Sequence, residues 1–596
     1  MSSRPGLFAT AKHPVLSLNV QAQTATPERE KSQFEVLVRH LIYRFFHNEL
    51  LASDDETKRV MLISYSVGLP TLVLSLFLYP AYHAFPPAPY PRPFWPQVGD
   101  HYFYVMYSFL IMGAATVYEW DLLFPDVLDI FVLSILPIST RRLFFARVLA
   151  LAIFLALVLI GTSILGTLLF PLVAGLPSLG SHLLGHAVAV LMSGAFTAGF
   201  FLALQGILIN TVGDSVFRRI TPILQGGSIM ILLAVLLLYP TLSRSLRPLL
   251  TSDIAAVRWF PPFWFLGVYE RLLQGPSALP IFGQLARIAC CAFLLVLAFV
   301  VLTYPLAYRR RVRQIIEGAS RIDVSGRAAV PFHRLLHVTV LRFPARRAVF
   351  HFVSQTILRA QRQRVMLALY GGLAVALALS NMVVFRVRTG HLWPSLLPYG
   401  IRTAVPIMAF WTIIALSTIV SAPIDRRGSW LFRVLIGRPG PAHLAGTRLW
   451  ITLWALLISL TTVVVLRVFS PAEMRTPLVT AGQLLVATGV SFLLADIRLF
   501  PVRTIPFSHM RTSSITDFPL MIARYFVFFP AFVVLVVHAE SWIEASFAHL
   551  LKTLSLLIVA HVLLLRAHAN ALGESAPETP LDEGDEFPQR LGLRDG

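Results

Sequence analysis

Long apolar runs separated by short polar breaks dominate the chain. A helix needs about 20 mostly apolar residues to cross the hydrocarbon core of a bilayer. Six stretches reach or approach that length early on, at 60–82, 102–119, 143–168, 184–210, 220–239 and 285–308. Six more follow at 365–385, 404–422, 449–466, 478–495, 518–537 and 547–565. An arginine-rich stretch at 309–364 separates the sets. The pattern predicts an all-α polytopic membrane protein of about 12 transmembrane helices, arranged as two pseudo-repeated six-helix halves. The expected divisions are a cytoplasmic N-terminal segment at 1–59, a first half at 60–308, a cytoplasmic linker at 309–364, a second half at 365–568 and an acidic tail at 569–596.

Each half opens on a short amphipathic segment. In "FEVLVRHLIYRFFHNELL", Phe34, Leu37, Val38, Leu41, Ile42, Phe45 and Phe46 fall on one helical face. In "RRAVFHFVSQTILRAQRQR", Phe350, Val353 and Ile357 share a face opposite Gln355, Arg359 and Arg362. Helices of this kind lie in the headgroup plane, so each is predicted to be an interfacial elbow leading into a span.

A polar joint then falls between the second and third runs of each half. The first reads "WDLLFPDVLDIFVLSILPISTRR" over 120–142, and its apolar centre is too short to span. Asp126 and Asp129 are three apart and share a helical face. A short helix parallel to the membrane is expected there, containing Leu133 and Leu136 and stopped by Pro137. Ser139 or Thr140 caps the next span, and Arg141 and Arg142 hold its end. The second joint, "SAPIDRRGSWLFRVLIGRPGPAHLAG", repeats the design with Asp425, Arg426, Arg427 and Gly428. Leu143 and Arg147 match Leu444 and Arg448 at the same place in both halves, which suggests a parallel duplication.

Composition sharpens this picture. Hydrophobic residues make up 56% of the chain and charged residues 13%, against roughly a quarter charged in soluble domains. The formal net charge is +20. Its basic residues sit at the ends of apolar runs, as Lys58, Arg59, Arg141, Arg142, Arg218, Arg219 and 309–311, rather than on a soluble module that would bind nucleic acid. They mark one face as cytoplasmic, with both termini inside a bacterial-type plasma (inner) membrane and an affinity for anionic membrane lipid. The polar first 59 residues carry no cleavable leader pattern. Cys290 and Cys291 are adjacent within an apolar run, expected to be small buried hydrophobes, and no metal set is legible.

Polar groups within the runs, Gln205, Asn210, Gln225, Asn381 and Gln483, are candidates for a substrate path. Deep ionisable residues look scarce, which speaks for an amphiphilic or lipid-like cargo and against a proton-driven pump. No G-x-x-x-x-G-K-[ST] occurs, so this chain has no P-loop to hold nucleotide phosphates.

The stretch "DVLDIFVLSILPISTRRLFFARVLA" resembles the cytoplasmic coupling loop of ABC-2 type exporter permeases, and "DRRGSWLFRVL" is similar to the opening of the same loop. The resemblance implies an elbow helix, six spans per half and an outer insertion between spans five and six, to which "VRWFPPFWFLGVYERLLQG" at 257–275 is similar. It further implies that Asp126, Asp129, Leu133, Leu136, Pro137, Arg141, Arg142, Arg147, Asp425, Arg426, Arg427, Gly428 and Arg448 couple to a separate ABC ATPase, two copies of which carry the ATP and magnesium. This chain would then be no enzyme and hold no cofactor. The second half departs from the family, with only "HAESWIEAS" where an insertion would stand. A secondary carrier of the major facilitator type is the alternative, since "DRRG" at 425–428 resembles part of its loop motif. A membrane-embedded transferase is the third, although no spacing pairs Asp100, Asp253 or Glu270.

Overall fold

The computed structural model describes residues 33–46, 56–83, 92–120, 123–125, 130, 138–174, 179–251, 254–316, 341–388, 391–422, 441–500, 506–507 and 517–573. The first half comprises α1 (Gln33–Phe46), α2 (Glu56–Tyr82), α3 (Phe94–Tyr118), α4 (Thr140–Ala174), α5 (Leu179–Thr211), α6 (Asp214–Leu237), three short helices α7 (Tyr239–Arg244), α8 (Leu246–Thr251) and α9 (Ala255–Trp259), then α10 (Pro261–Gln274) and α11 (Pro280–Ile316). The second comprises α12 (Pro344–Arg359), α13 (Gln361–Met382), strands β1 (Val383–Arg388) and β2 (His391–Leu396), α14 (Pro398–Ser421), α15 (Pro441–Phe469), α16 (Pro477–Leu499), α17 (Asp517–Ile543) and α18 (Phe547–Gly573).

Nine of the described helices are long and apolar enough to cross a membrane, and α2 and α17 add shorter apolar stretches at Val67–Tyr82 and Val527–Ile543. Lipid offers no partner for a bare amide, so apolar runs of this length close their own hydrogen bonds as helices. The chain is therefore a multi-pass, helical membrane protein. Its outer faces fit that solvent: Leu294, Leu295, Val301 and Leu302 of α11 are exposed, as are Leu556, Ile558, Val559 and Leu563 of α18. Cys290 and Cys291 lie on such a surface and are exposed, contrary to the expectation of burial.

Both amphipathic segments are helices docked on their apolar faces. Leu37, Val38 and Leu41 of α1 are buried against Ala146, Ala150 and Leu151 of α4. Phe350, Val353 and Ile357 of α12 are buried in one cluster with Trp450 and Ile451 of α15. Gly446 of α15 lets the second elbow approach closely, since a Cβ there would stand 2.8 Å from the Arg346 carbonyl oxygen.

Packing within the two halves follows one scheme. The elbow lies on the third long helix (α1 on α4, α12 on α15). The second (α3 or α14) packs on the third, fourth and fifth, the third on the fourth, and the fourth (α5 or α16) on the last (α11 or α18). The first helices differ: α2 packs along α4, whereas α13 packs along α14 and crosses to α6 of the other half. That crossing uses small residues. A Cβ on Gly226 would meet the Ala368 Cβ at 3.3 Å, and one on Gly372 would meet the Met230 Cα at 3.0 Å. Small residues are what allow two backbones in lipid to come so near.

Two features lie outside the long helices, and the first departs from an all-α reading. The apolar run expected to continue to 385 turns into β1 after Met382, and β1 pairs antiparallel with β2 from Val383↔Leu396 to Arg388↔His391. The β-branched Val383, Val384 and Val387 favour a strand, and Pro394 is tolerated because a two-stranded ribbon has free edges. Between α6 and α11, the aromatic stretch folds as α9 and α10, with α10 buried against α3, α5 and α11. Gly275, at φ +58 and ψ −133, takes a positive-φ conformation open mainly to glycine and ends α10. The second half has a three-residue turn at the equivalent place, between Ile543 and Phe547.

Candidate functional site

The joint of the first half leaves the end of α3, where helix geometry frees backbone carbonyls that apolar surroundings cannot satisfy. Side chains from four other helices meet them. Gln225 of α6 donates Nε2–H to the Val117 carbonyl at 2.9 Å, and Gln205 of α5 donates to that of Trp120 at 2.8 Å. Tyr304 of α11 donates its hydroxyl to the Leu123 carbonyl at 2.9 Å, and Arg147 of α4 donates Nη2–H to that of Phe124 at 3.1 Å. Trp120 and Leu123 are wholly buried, and Arg147 is 3% exposed. The backbone entering the joint is thus bolted to α4, α5, α6 and α11. On its far side, α4 starts at Thr140 with the Leu143 amide bonded to the Ser139 carbonyl, and Arg141 and Arg142 are exposed. Asp126, Asp129, Leu133, Leu136 and Pro137 lie outside the described residues.

The second half ties the same place differently. Arg498 of α16 donates Nε–H to the Ser417 hydroxyl near the end of α14 at 3.3 Å. The Phe507 amide donates to the Val420 carbonyl at 2.7 Å, and the Phe507 ring is buried against Phe352 of the elbow. Arg448, matched to Arg147, binds the Asp496 carboxylate of α16. His561 of α18 reaches the other oxygen of Asp496 at 2.6 Å. One buried carboxylate therefore joins α15, α16 and α18. Asp425, Arg426, Arg427 and Gly428 lie outside the described residues.

The five polar residues considered for a substrate path are spread through the molecule. Gln205 and Gln225 hold the joint. Asn210 donates to the Thr303 carbonyl at 3.0 Å and its own carbonyl accepts from Arg310, which ties α5 to α11. Asn381 is exposed and donates to the Leu377 carbonyl of its own helix at 2.8 Å. Gln483 is buried beside Glu540 of α17 and close to Glu544 in the turn that follows it.

Several ionisable residues are buried inside the protein. At the start of α3, Asp100 accepts from Arg92 at 2.6 and 2.8 Å and from the Tyr82 hydroxyl at 2.9 Å. The next residue, His101, places Nδ1 2.6 Å from Glu270 of α10, with both side chains essentially unexposed. Gln274 donates to the second Glu270 oxygen. His101 also stacks on Tyr269 at 4.1 Å, and the Tyr269 hydroxyl stands 3.2 Å from Nδ1 of His186. Burial pushes the Tyr269 hydroxyl far above its ordinary range, and the Glu270 carboxylate pushes the same way, so this group keeps its proton. In the second half, Arg402 of α14 binds Glu544 through Nη2 and Nε at 2.7 and 3.1 Å. The partners in these sets are separated by as many as 169 residues in sequence. A hint was present in Asp100 and Glu270, but no local spacing could pair them. Among the described residues, no group of three or more His, Cys, Asp or Glu is placed to hold a metal ion.

Comparison with protein-family models, with curated proteins and with solved structures finds no match to the chain.

Proposed function

We propose that the chain is the permease of an ATP-driven exporter of the ABC-2 type, moving an amphiphilic or lipid-like substrate between two six-helix halves. The observation that carries this reading is the set of backbone carbonyls of Val117, Trp120, Leu123 and Phe124, hydrogen-bonded by side chains of α4, α5, α6 and α11. A protein pressing on the residues that follow would move four helices at once, through bonds that leave little slack. The shared packing scheme, with an elbow on the third helix of each half, supports a duplicated permease with twelve spans. In this reading the joints and both terminal segments face the cytoplasm of a plasma (inner) membrane, because the basic residues gather there.

ATP and magnesium belong to two partner ATPase subunits, since this chain has no P-loop. Closure of the ATPase pair pushes the joints, the joints carry their helix sets, and the halves rock about the α6–α13 crossing. The test is purification in mild detergent. An ABC ATPase should accompany the wild-type chain and be lost when 128–136 is scrambled. Transport by the chain alone in proteoliposomes would overturn the proposal.

A second reading, a proton-coupled carrier, is favoured by one observation: the buried His101–Glu270 pair. Intramembrane ionisable pairs commonly mark proton pathways. That reading requires uptake or efflux to follow an imposed proton gradient with no ATPase present.

A further inference from the structure

Glu540 of α17 stands apart from the other buried carboxylates. Among the described residues, Asp100 is held by Arg92 and Tyr82, Glu270 by His101 and Gln274, Asp496 by Arg448 and His561, and Glu544 by Arg402. Glu540 is 0% exposed, and among the described residues neither of its oxygens closes a hydrogen bond in good geometry, although the Gln483 and Glu544 side chains are its polar neighbours. Around it lie Glu544 one turn further on, Gln483 of α16 and Arg402 of α14. Among the described residues, the Gln483 Nε2 and one Glu544 oxygen are also buried without a hydrogen bond in good geometry. Three helices thus close on a pocket of polar atoms with unused bonding capacity.

The charges in this pocket do not balance. It holds two carboxyl groups and one guanidinium, and Arg402 directs both its bonding N–H groups to the same oxygen of Glu544. A second bare carboxylate in a dry, low-dielectric setting is strongly disfavoured, and such a site takes up either a proton or a cation. Hard cations gather six or more oxygen ligands. Two carboxyls and one amide fall short of that, whereas a proton needs only one oxygen to carry it and a neighbour to receive it. His538 and His549 at this end are exposed and bonded to the Val534 and Trp542 carbonyls, and Arg467 and Arg475 are bonded to Thr480 and to the Ser470 and Val468 carbonyls.

We propose that Glu540, Glu544 and Gln483 form a binding site for one exchangeable proton, and that its departure loosens α17 from α14 and α16. With the proton gone, Glu540 repels Glu544 and competes with it for Arg402, which weakens the bond that ties α17 to α14. The inference goes beyond the function proposed above, and its test needs neither an ATPase nor a substrate.

The experiment is infrared difference spectroscopy on the full chain in lipid nanodiscs, with Glu540→Gln, Glu544→Gln and the exposed Glu35→Gln as a control. The expected result is a protonated-carboxyl carbonyl band at neutral pH, absent in Glu540→Gln, present in Glu35→Gln, and lost as the buffer is made alkaline. No such band at neutral pH, or a band that survives both Glu540→Gln and Glu544→Gln, would overturn the proposal. So would a band abolished by sodium at constant pH, which marks a cation site. Deuterium exchange across 538–549, corrected for intrinsic rates, should rise several-fold in alkaline buffer in the wild type and stay flat in Glu540→Gln. An equal rise in both would overturn the loosening of α17. Because the amide is isosteric with the acid, a wild-type melting profile for Glu540→Gln establishes that the fold is intact.

Discussion

Arg147 and Arg448 occupy matched positions, yet they do different work. Arg147 satisfies a backbone carbonyl of the joint, whereas Arg448 neutralises Asp496. Replacing Arg147 with Ala leaves the Phe124 carbonyl buried without this donor. The expected cost is about 1–3 kcal/mol of stability. A larger loss is expected in ATP-driven transport, measured in proteoliposomes with the co-purified ATPase. Asp496→Ala leaves Arg448 without its counter-charge and His561 without its hydrogen-bond partner. It should cost about 3–5 kcal/mol, since breaking a buried pair strands the partner. In the Arg448→Ala/Asp496→Ala double variant, followed by thermal melting, the effect should be smaller than the sum of the singles. The two arginines were legible in the sequence because each follows a Leu-x-x-x at the start of a long apolar run. Asp496, His561 and the Phe124 carbonyl were not, because a partner is chosen by helix packing.

Elements were read with uneven success. The apolar faces of both elbows follow from 3.6-residue periodicity, and the residues buried on α1 and α12 belong to those faces. Gly446→Val tests the second elbow, because the added atoms would meet the Arg346 carbonyl and Val349 at about 3 Å or less. Overpacking of this kind typically costs about 1–3 kcal/mol, and the melting temperature should fall accordingly. The start of α3 was missed by eight residues, 94 against 102. Its prolines, Pro91, Pro93 and Pro96 among them, made that stretch read as an outer loop, although Asp100 and His101 are buried with partners. The β1–β2 ribbon was missed because Val383 to Val387 suits a strand and the end of a span equally well, and only the pairing with His391–Leu396 decides.

At the scale of the whole molecule, the α6–α13 crossing is the main contact between halves. Gly372→Leu would drive a side chain into Met230 and separate them there. With the chain cut by an engineered protease site within 317–340, the wild-type halves should stay together in detergent, and the variant halves should part on size-exclusion chromatography. Retention of the variant halves would show that other contacts suffice.

The sequence by itself determined that this is a multi-pass helical membrane protein and where its two amphipathic helices lie. Hydrophobic length and periodicity are local properties, written in consecutive residues. Tertiary structure alone decided that Gln205 and Gln225 bind the end of α3, that His101 meets Glu270, and that Glu540 is sealed in beside Glu544 with one guanidinium between the two. Those outcomes depend on which helix faces meet across 85 to 169 residues of chain. In lipid nearly every helix face is apolar, so packing is selected by small residues and shape rather than by a pattern that can be read along the chain.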